Sequence, residues 1–393
     1  MKFNPLAPFL AILLALAIVP SAFSETIVVG NVRVIKVTGS SAQLLSVGGK
    51  KTPIKEGIFI QQGSKILTGG DSTVSLVFEN GSAVQVEPSS QFSIDEFVQD
   101  PFDSKNIDYK AVDKAPTRSV TKLSISEGEM IFNVAKQKSG SIFEITTPVG
   151  VAGIRGTSGS AGSGGFGLAT GSASFTPDGG APSIVGPGQS FNPGSGIGPI
   201  PASLQANVAS VAAYIASNTP PNTFAAAPPN LTPPQHAALQ NAAAQGGEAV
   251  AQVAAQLAAQ NPIAAAEIAA AAAYVAPEAA PQIAATVSQA VPIAAVQIAQ
   301  TVSQVVPQQA QNISQAIISA VPSADATAIQ QASQQGAQQS TQPASQGQGN
   351  QPLATGDQGT TTAGQQLPGT GTGGGASGNP RPTPAPSPTP ASQ

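Results

Sequence analysis

The chain has 393 residues, a formal net charge of -4, 9% charged residues, one His and no Cys. Zero Cys excludes disulfides, thiolate metal sites, a cysteine nucleophile and a lipid-modified N-terminal cysteine. The charge balance offers no basic footprint for nucleic acid, which needs clustered Lys and Arg.

At the N-terminus, Lys2 precedes an apolar stretch from Leu6 to Val19, and Ala22 and Ser24 are the small residues before a cleavage point. This pattern reads as a secretory signal peptide over residues 1–24, with the mature chain starting near Glu25. The apolar run is shorter than the ~20 residues that span a bilayer. No later stretch is apolar enough to cross a membrane, so none is expected after cleavage. The expected location is outside the cytoplasm, in the periplasm or at the cell surface.

Residues 25–195 alternate like strands. Thr26 to Thr38 is β-branched nearly throughout, and Val74 to Val86 reads as a hairpin with Val74, Leu76 and Phe78 on one face. Asn80-Gly81 offers the two positive-φ positions of a type I′ turn. Further strands are expected at 92–97, 123–125, 129–134, 141–146 and 183–191. A long polar surface loop is expected over 99–121, and Gly159 to Gly165 reads as flexible, linker-like sequence. The unit is all-β, as a sandwich or a β-roll or solenoid, and long enough for a core.

Gly57-Ile-Phe-Ile-Gln-Gln-Gly-Ser-Lys-Ile-Leu-Thr-Gly-Gly-Asp-Ser-Thr-Val-Ser-Leu-Val-Phe-Glu-Asn-Gly-Ser82, Gly128 to Val134, Thr147-Pro148, Arg155-Gly-Thr157 and Gly186-Pro-Gly-Gln-Ser190 follow one another in order. Together they resemble the FecR domain family, over about two-fifths of the chain. The resemblance implies an extracytoplasmic module. The family's namesake is a membrane-spanning regulator of a sigma factor, whereas this sequence shows no cytoplasmic segment and no retained transmembrane helix. Signalling across a membrane is therefore not expected from it.

From Ala202 to Pro380 there is no Lys or Arg. Residues 196–246 are expected to form a linker with one helix over 201–217, where Leu204, Val208, Val211 and Ile215 share a face. A repeat then occupies 247–333. Pro262, Pro277, Pro292, Pro307 and Pro322 recur every 15 residues, with Gly247 one unit earlier. Val253, Ile268, Ile283, Ile298 and Ile313 follow six residues behind, and Leu257, Ala272, Val287, Val302 and Ile317 ten behind. Each unit reads as a short Ala/Gln-rich helix with Pro at its start. Residues before proline are pushed out of the α region, which breaks each helix. Such helices are too short to stand alone and would bury their stripes by stacking. One long helix and disordered low-complexity sequence are the alternatives. Residues 334–393 are Gln-, Gly-, Thr- and Pro-rich and should form a disordered tail.

No catalytic, cofactor or metal constellation emerges. His236 reads as a surface residue at a helix start. Asp95, Glu96, Asp100, Asp103 and Asp108 lack the order of a calcium loop and read as solvated. Leu367-Pro-Gly-Thr-Gly371 matches a wall-sorting signal without the apolar span that should follow, and reads as coincidence. Arg155, between Gly153 and Gly156, is the candidate binding residue; its competing role is to anchor a turn. Two functions stay open. The first is an exported, non-enzymatic binding or sensing protein whose β-domain recognises an envelope protein or polymer. The second is a structural envelope scaffold that self-associates through residues 247–333.

Overall fold

The computed structural model describes residues 27–341, apart from 47, 48, 50 and 111. The signal peptide expected over 1–24, the Leu367–Gly371 string and the tail from 342 onward lie outside the described residues.

Two stacked sheets occupy residues 28–199, one of ten strands and one of nine. The chain lays short strands alternately on each. The hairpin of Thr73–Phe78 and Ala83–Val86 sits in the nine-stranded sheet, and Gln91–Gln99 and Ser119–Glu127 form the next pair in the ten-stranded sheet. Glu129–Asn133 returns to the first sheet, and Ile142–Thr147 with Gly150–Ile154 to the second. Alternation follows from period-2 patterning: Phe92, Ile94, Leu123, Ile125, Phe143 and Ile145 face Leu76, Phe78, Val84, Val86, Met130 and Phe132 across one apolar layer.

The motifs of the family resemblance fall where the chain turns. Thr147 receives the Val149 N–H at 3.2 Å and donates to the Gly150 carbonyl at 2.9 Å, which closes the Thr-Pro hairpin. Gly156, at φ +125°, carries the Arg-Gly-Thr run from one sheet to the other. The Thr-Gly-Gly-Asp turn is clasped by Asp71, whose carboxylate accepts from the Ser41 and Ser72 hydroxyls and the Ser40 N–H. Those bonds, led by the one from Ser41, hold its carboxyl well below the usual range.

Two local expectations are corrected. Gly81 has φ +86° but Asn80 is not at positive φ, so the hairpin loop is not type I′. Phe78 N–H bonds the Ser82 carbonyl at 2.8 Å, leaving a three-residue loop that ends in a left-handed glycine. Asn80 is instead held inward, its amide donating to Ser119 Oγ and Thr121 Oγ1 at 3.2 and 3.1 Å. The Gly159–Gly165 stretch is not a linker. Ser158–Gly162 and Gly165–Thr170 are paired strands, the first buried at every position. Glycine stands at 159, 162 and 165 because the Gly167, Gly128 and Phe191 carbonyls leave no room for a Cβ there.

The nine-stranded sheet is covered on its outer face too. Helix α1 (Ala202–Asn218) lays Val208, Val211 and Ile215 against Ile35, Val77, Ala83 and Ile131. The 100–118 loop adds Tyr109 to that layer and Phe224 closes it, their rings 4.6 Å apart. The stretch expected as linker holds more structure than its composition suggests. Strand Gly196–Pro199 extends the nine-stranded sheet, and α2 (Pro233–Ala243) starts from a Thr232–Gln235 capping box.

Beyond it stand α3 (Gly247–Gln260), α4 (Ala265–Val275), α5 (Ala280–Ala290), α6 (Ala295–Val305), α7 (Ala310–Ala320) and α8 (Ala326–Thr341). The residue before each repeat proline leaves the helix at φ near -130°, as at Val291 with φ -134° and ψ 75°. Its N–H still closes the preceding helix, and at Pro262, Pro277, Pro292 and Pro307 its carbonyl opens a 3-10 turn that runs into the next helix, whereas at Pro322 a simple turn and Asp325 precede α8. This geometry removes the long-helix alternative. Each helix packs on the one two units along: α3 on α5, α4 on α6, α5 on α7, α6 on α8. The result is a two-layer stack in which Ile268, Ile283, Ile298 and Ile313 are fully buried. Hydrogen bonds span the same interval, Thr301 Oγ1 to the Ala266 carbonyl at 3.1 Å and Gln309 Nε2 to the Pro277 carbonyl at 2.8 Å. Helix α8 runs eight residues past the expected repeat end at 333, because Gly336 lets it approach the α6 backbone at Gln300.

Candidate functional site

The hairpin loop that denies Asn80 a positive φ places Glu79 inside the protein, 1% exposed. Its carboxylate accepts four hydrogen bonds: from the Asn31 N–H at 2.9 Å, Gln99 Nε2 at 2.8 Å, Asn230 Nδ2 at 3.0 Å and the Ser104 hydroxyl at 2.6 Å. No Lys or Arg pairs with it among the described residues, so these donors alone offset its desolvation.

The network runs on into the helical region. Asn31 Nδ2 donates to Asn230 Oδ1 at 2.8 Å and to the Pro228 carbonyl at 3.0 Å, and Gln61 Nε2 donates to Asn31 Oδ1 at 3.0 Å. Gln61 Oε1 lies 2.9 Å and Gln240 Nε2 3.3 Å from His236 Nε2 on α2, so this ring nitrogen meets both an acceptor and a donor. Gln240, one turn along, donates to the Gln62 carbonyl at 2.9 Å. The β-region and the stack are thereby joined by a continuous polar seam.

His236 is therefore not a surface residue; it is 2% exposed, turned inward by the capped start of α2. Burial pushes its pKa down to about 4, and Nδ1 has no partner among the described residues. A depressed His favours the neutral native form, so the unfolded chain binds the extra proton between pH 6.5 and 4. Stability from this group is complete above pH 6.5 and falls as pH drops toward 4, by up to about 3 kcal/mol. Urea unfolding of the wild type and His236→Asn at pH 7 and 4.5 checks this: the wild type should lose the larger amount. Equal losses would rule it out.

Beside the seam opens a cleft of about 780 Å³ between the β-region and the stack. One wall is residues 57–61, containing Phe59–Ile60, the terminal strand of the nine-stranded sheet. The other is formed by the ends of α4 and α6 with the Pro277 and Pro307 turns, including Tyr274, Glu278, Gln304 and Gln308. Gln61 and Gln240 belong to both the cleft and the seam. Sequence reasoning missed this site. Its walls come from residues 44–64 and 226–308, and no local motif announces their meeting.

Arg155 lies elsewhere, exposed on the turn between Gly150–Ile154 and Ser158–Gly162. Its carbonyl accepts the Gln137 N–H at 3.3 Å, and its guanidinium has no partner among the described residues. The acidic residues do not converge. Glu96 pairs with Lys122 at 2.7 Å and Asp100 with Arg118 at 3.2 Å, while Asp103 and Asp108 cap their own loop turns. Among the described residues no group of His, Asp or Glu is placed to hold a metal ion, and no helix is long and apolar enough to cross a membrane.

Residues 64–170 match the family model for FecR protein. The matched range holds the Thr-Gly turn, the Glu79 hairpin, the Thr-Pro turn and Arg155-Gly-Thr157. Two crystal structures of a candidate anti-sigma factor from Parabacteroides distasonis are similar in part, each at 16% identity and TM-score 0.27. The alignments cover 37% of this chain and 64% or 63% of theirs, so the chain spans less than two-thirds of their length. Comparison with curated proteins finds no match.

Proposed function

With a FecR domain at residues 64–170 as the premise, we propose that this chain is an exported, non-catalytic sensing or binding protein whose ligand sits in the cleft between the two regions. The observation that carries the reading is the cleft itself. It lies at a junction of two architectures, has the volume of a ligand site, and shares Gln61 and Gln240 with a buried seam. A ligand that engages those amides would act on the hydrogen bonds joining sheet to stack. An envelope protein or polymer is the proposed partner class, with the periplasm or cell surface as the location.

A photo-crosslinking residue at the exposed position Gln308 tests this in intact cells. It should trap an envelope component, and the chain should fractionate outside the cytoplasm. Crosslinks from position 155 instead would move binding to the Arg155 turn, and a purely cytoplasmic chain would end the export proposal.

One observation favours a second reading, scaffolding by self-association. At the residue after each repeat proline, Glu278 and Gln308 face the cleft, whereas Ile263 and Ile293, in alternate units, are 93% and 94% exposed. Two apolar side chains wholly in water at repeat-equivalent positions suit a lateral contact between copies. Light scattering should show concentration-dependent association that Ile263→Glu with Ile293→Glu abolishes; a monomer throughout would reject scaffolding.

A further inference from the structure

We infer that the cleft takes an uncharged oligosaccharide, an assignment that rests on the cleft being the binding site. Charge narrows the choice first. Among the described residues no Lys or Arg lines the cleft, and Glu278 is the one carboxylate there. An anionic ligand would shed its hydration and meet no cation in exchange.

Hydrogen-bonding capacity narrows it further. Thr52, Ser64, Gln304 and Gln308 line the cleft with no side-chain hydrogen bond inside the chain among the described residues. Hydroxyls and amides each donate and accept, which matches the hydroxyls of a sugar. Leu44, Ile58 and Val305 between them offer apolar contact for the C–H faces of a ring.

An extended peptide is the competing neutral ligand, and the terminal strand Phe59–Ile60 would be its template. Tyr274 of α4 lines the cleft beside that strand, and its ring packs into the apolar layer that holds Phe59. A two-residue edge with an aromatic ring packed beside it is a poor template for main-chain pairing, so recognition falls to side chains, which favours the sugar.

The test uses the full chain, with calorimetry for affinity and hydrogen exchange to locate binding. The probes are uncharged tetrasaccharides (chitotetraose, cellotetraose and maltotetraose), the fully deacetylated cationic chitotetraose, anionic tetragalacturonate, and an uncharged Ala/Ser/Gly octapeptide. At least one uncharged tetrasaccharide should bind and protect amides 57–64 and 304–308. Gln304→Leu with Gln308→Leu should weaken it at least tenfold without changing the melting temperature. If a charged sugar or the peptide protects those amides in preference, the sugar assignment fails and the cleft stays a binding site. Protection by none of the probes also overturns the assignment; the cleft reading then stands or falls on the Gln308 crosslink.

Discussion

Replacing Glu79 with Leu should destabilise the protein by about 4 kcal/mol. Leucine removes the acceptor that serves Asn31, Gln99, Ser104 and Asn230, and each buried donor left unpaired costs about 1–3 kcal/mol, partly recovered by rearrangement. The loss should not be confined to the β-region. Asn230 and Pro228 are tied to the same point, so residues 219–232 should become the first site of proteolysis in the variant. Glu79→Gln keeps an acceptor oxygen but turns an NH₂ group on existing donors, and should fall between the two. Denaturant unfolding measures both. A loss under about 1 kcal/mol for the leucine variant would mean that water replaces the network easily, and the seam would then not couple the two regions.

Gly159→Val is the second large effect, at about 3 kcal/mol, the upper end of the usual overpacking range. A Cβ there would collide with the Gly167 carbonyl of the neighbouring strand and come within 2.9 Å of Phe132 Cζ. Because the obstacle is paired backbone, the strand must shift rather than a side chain turn. Thermal unfolding should show the drop, whereas Gly164→Val, with open space around its Cβ, should leave stability nearly unchanged. Similar behaviour of the two variants would contradict the buried-strand reading.

These two positions also show where sequence reasoning ends. Glycine-rich sequence from 159 to 165 has the composition of a linker. Residues 159–162 nonetheless belong to a buried strand and 163–164 to its turn, because close backbone approach and chain flexibility both select glycine, and composition does not separate them. Asn80-Gly81 illustrates the same limit at a turn. The dipeptide marks a reversal, but whether Asn80 takes a positive φ depends on Ser119 and Thr121, some forty residues away, which draw its amide inward.

What the sequence determined by itself is whatever rests on local periodicity and local sterics. Period-2 patterning yielded the strands within 26–38, 74–86, 92–97, 123–125, 129–134 and 141–146, and the order of turn motifs yielded the FecR resemblance now matched over 64–170. Pre-proline sterics yielded a helix break every fifteen residues, and from Ile268 to Ile317 the in-phase columns are the side chains the stack buries, with Val253 and Leu257 of the first unit only partly covered. What only the tertiary structure decided is everything that depends on distant segments meeting. The cleft, the burial of Glu79 and the inward turn of His236 each need residues near 30–100 to lie against residues near 228–308. No residue's immediate neighbours carry that information, since the contacts come from packing one amphipathic surface on another. The lone histidine, which by sequence looked like a solvent-facing residue at a helix start, is for that reason part of the seam beside the proposed binding site.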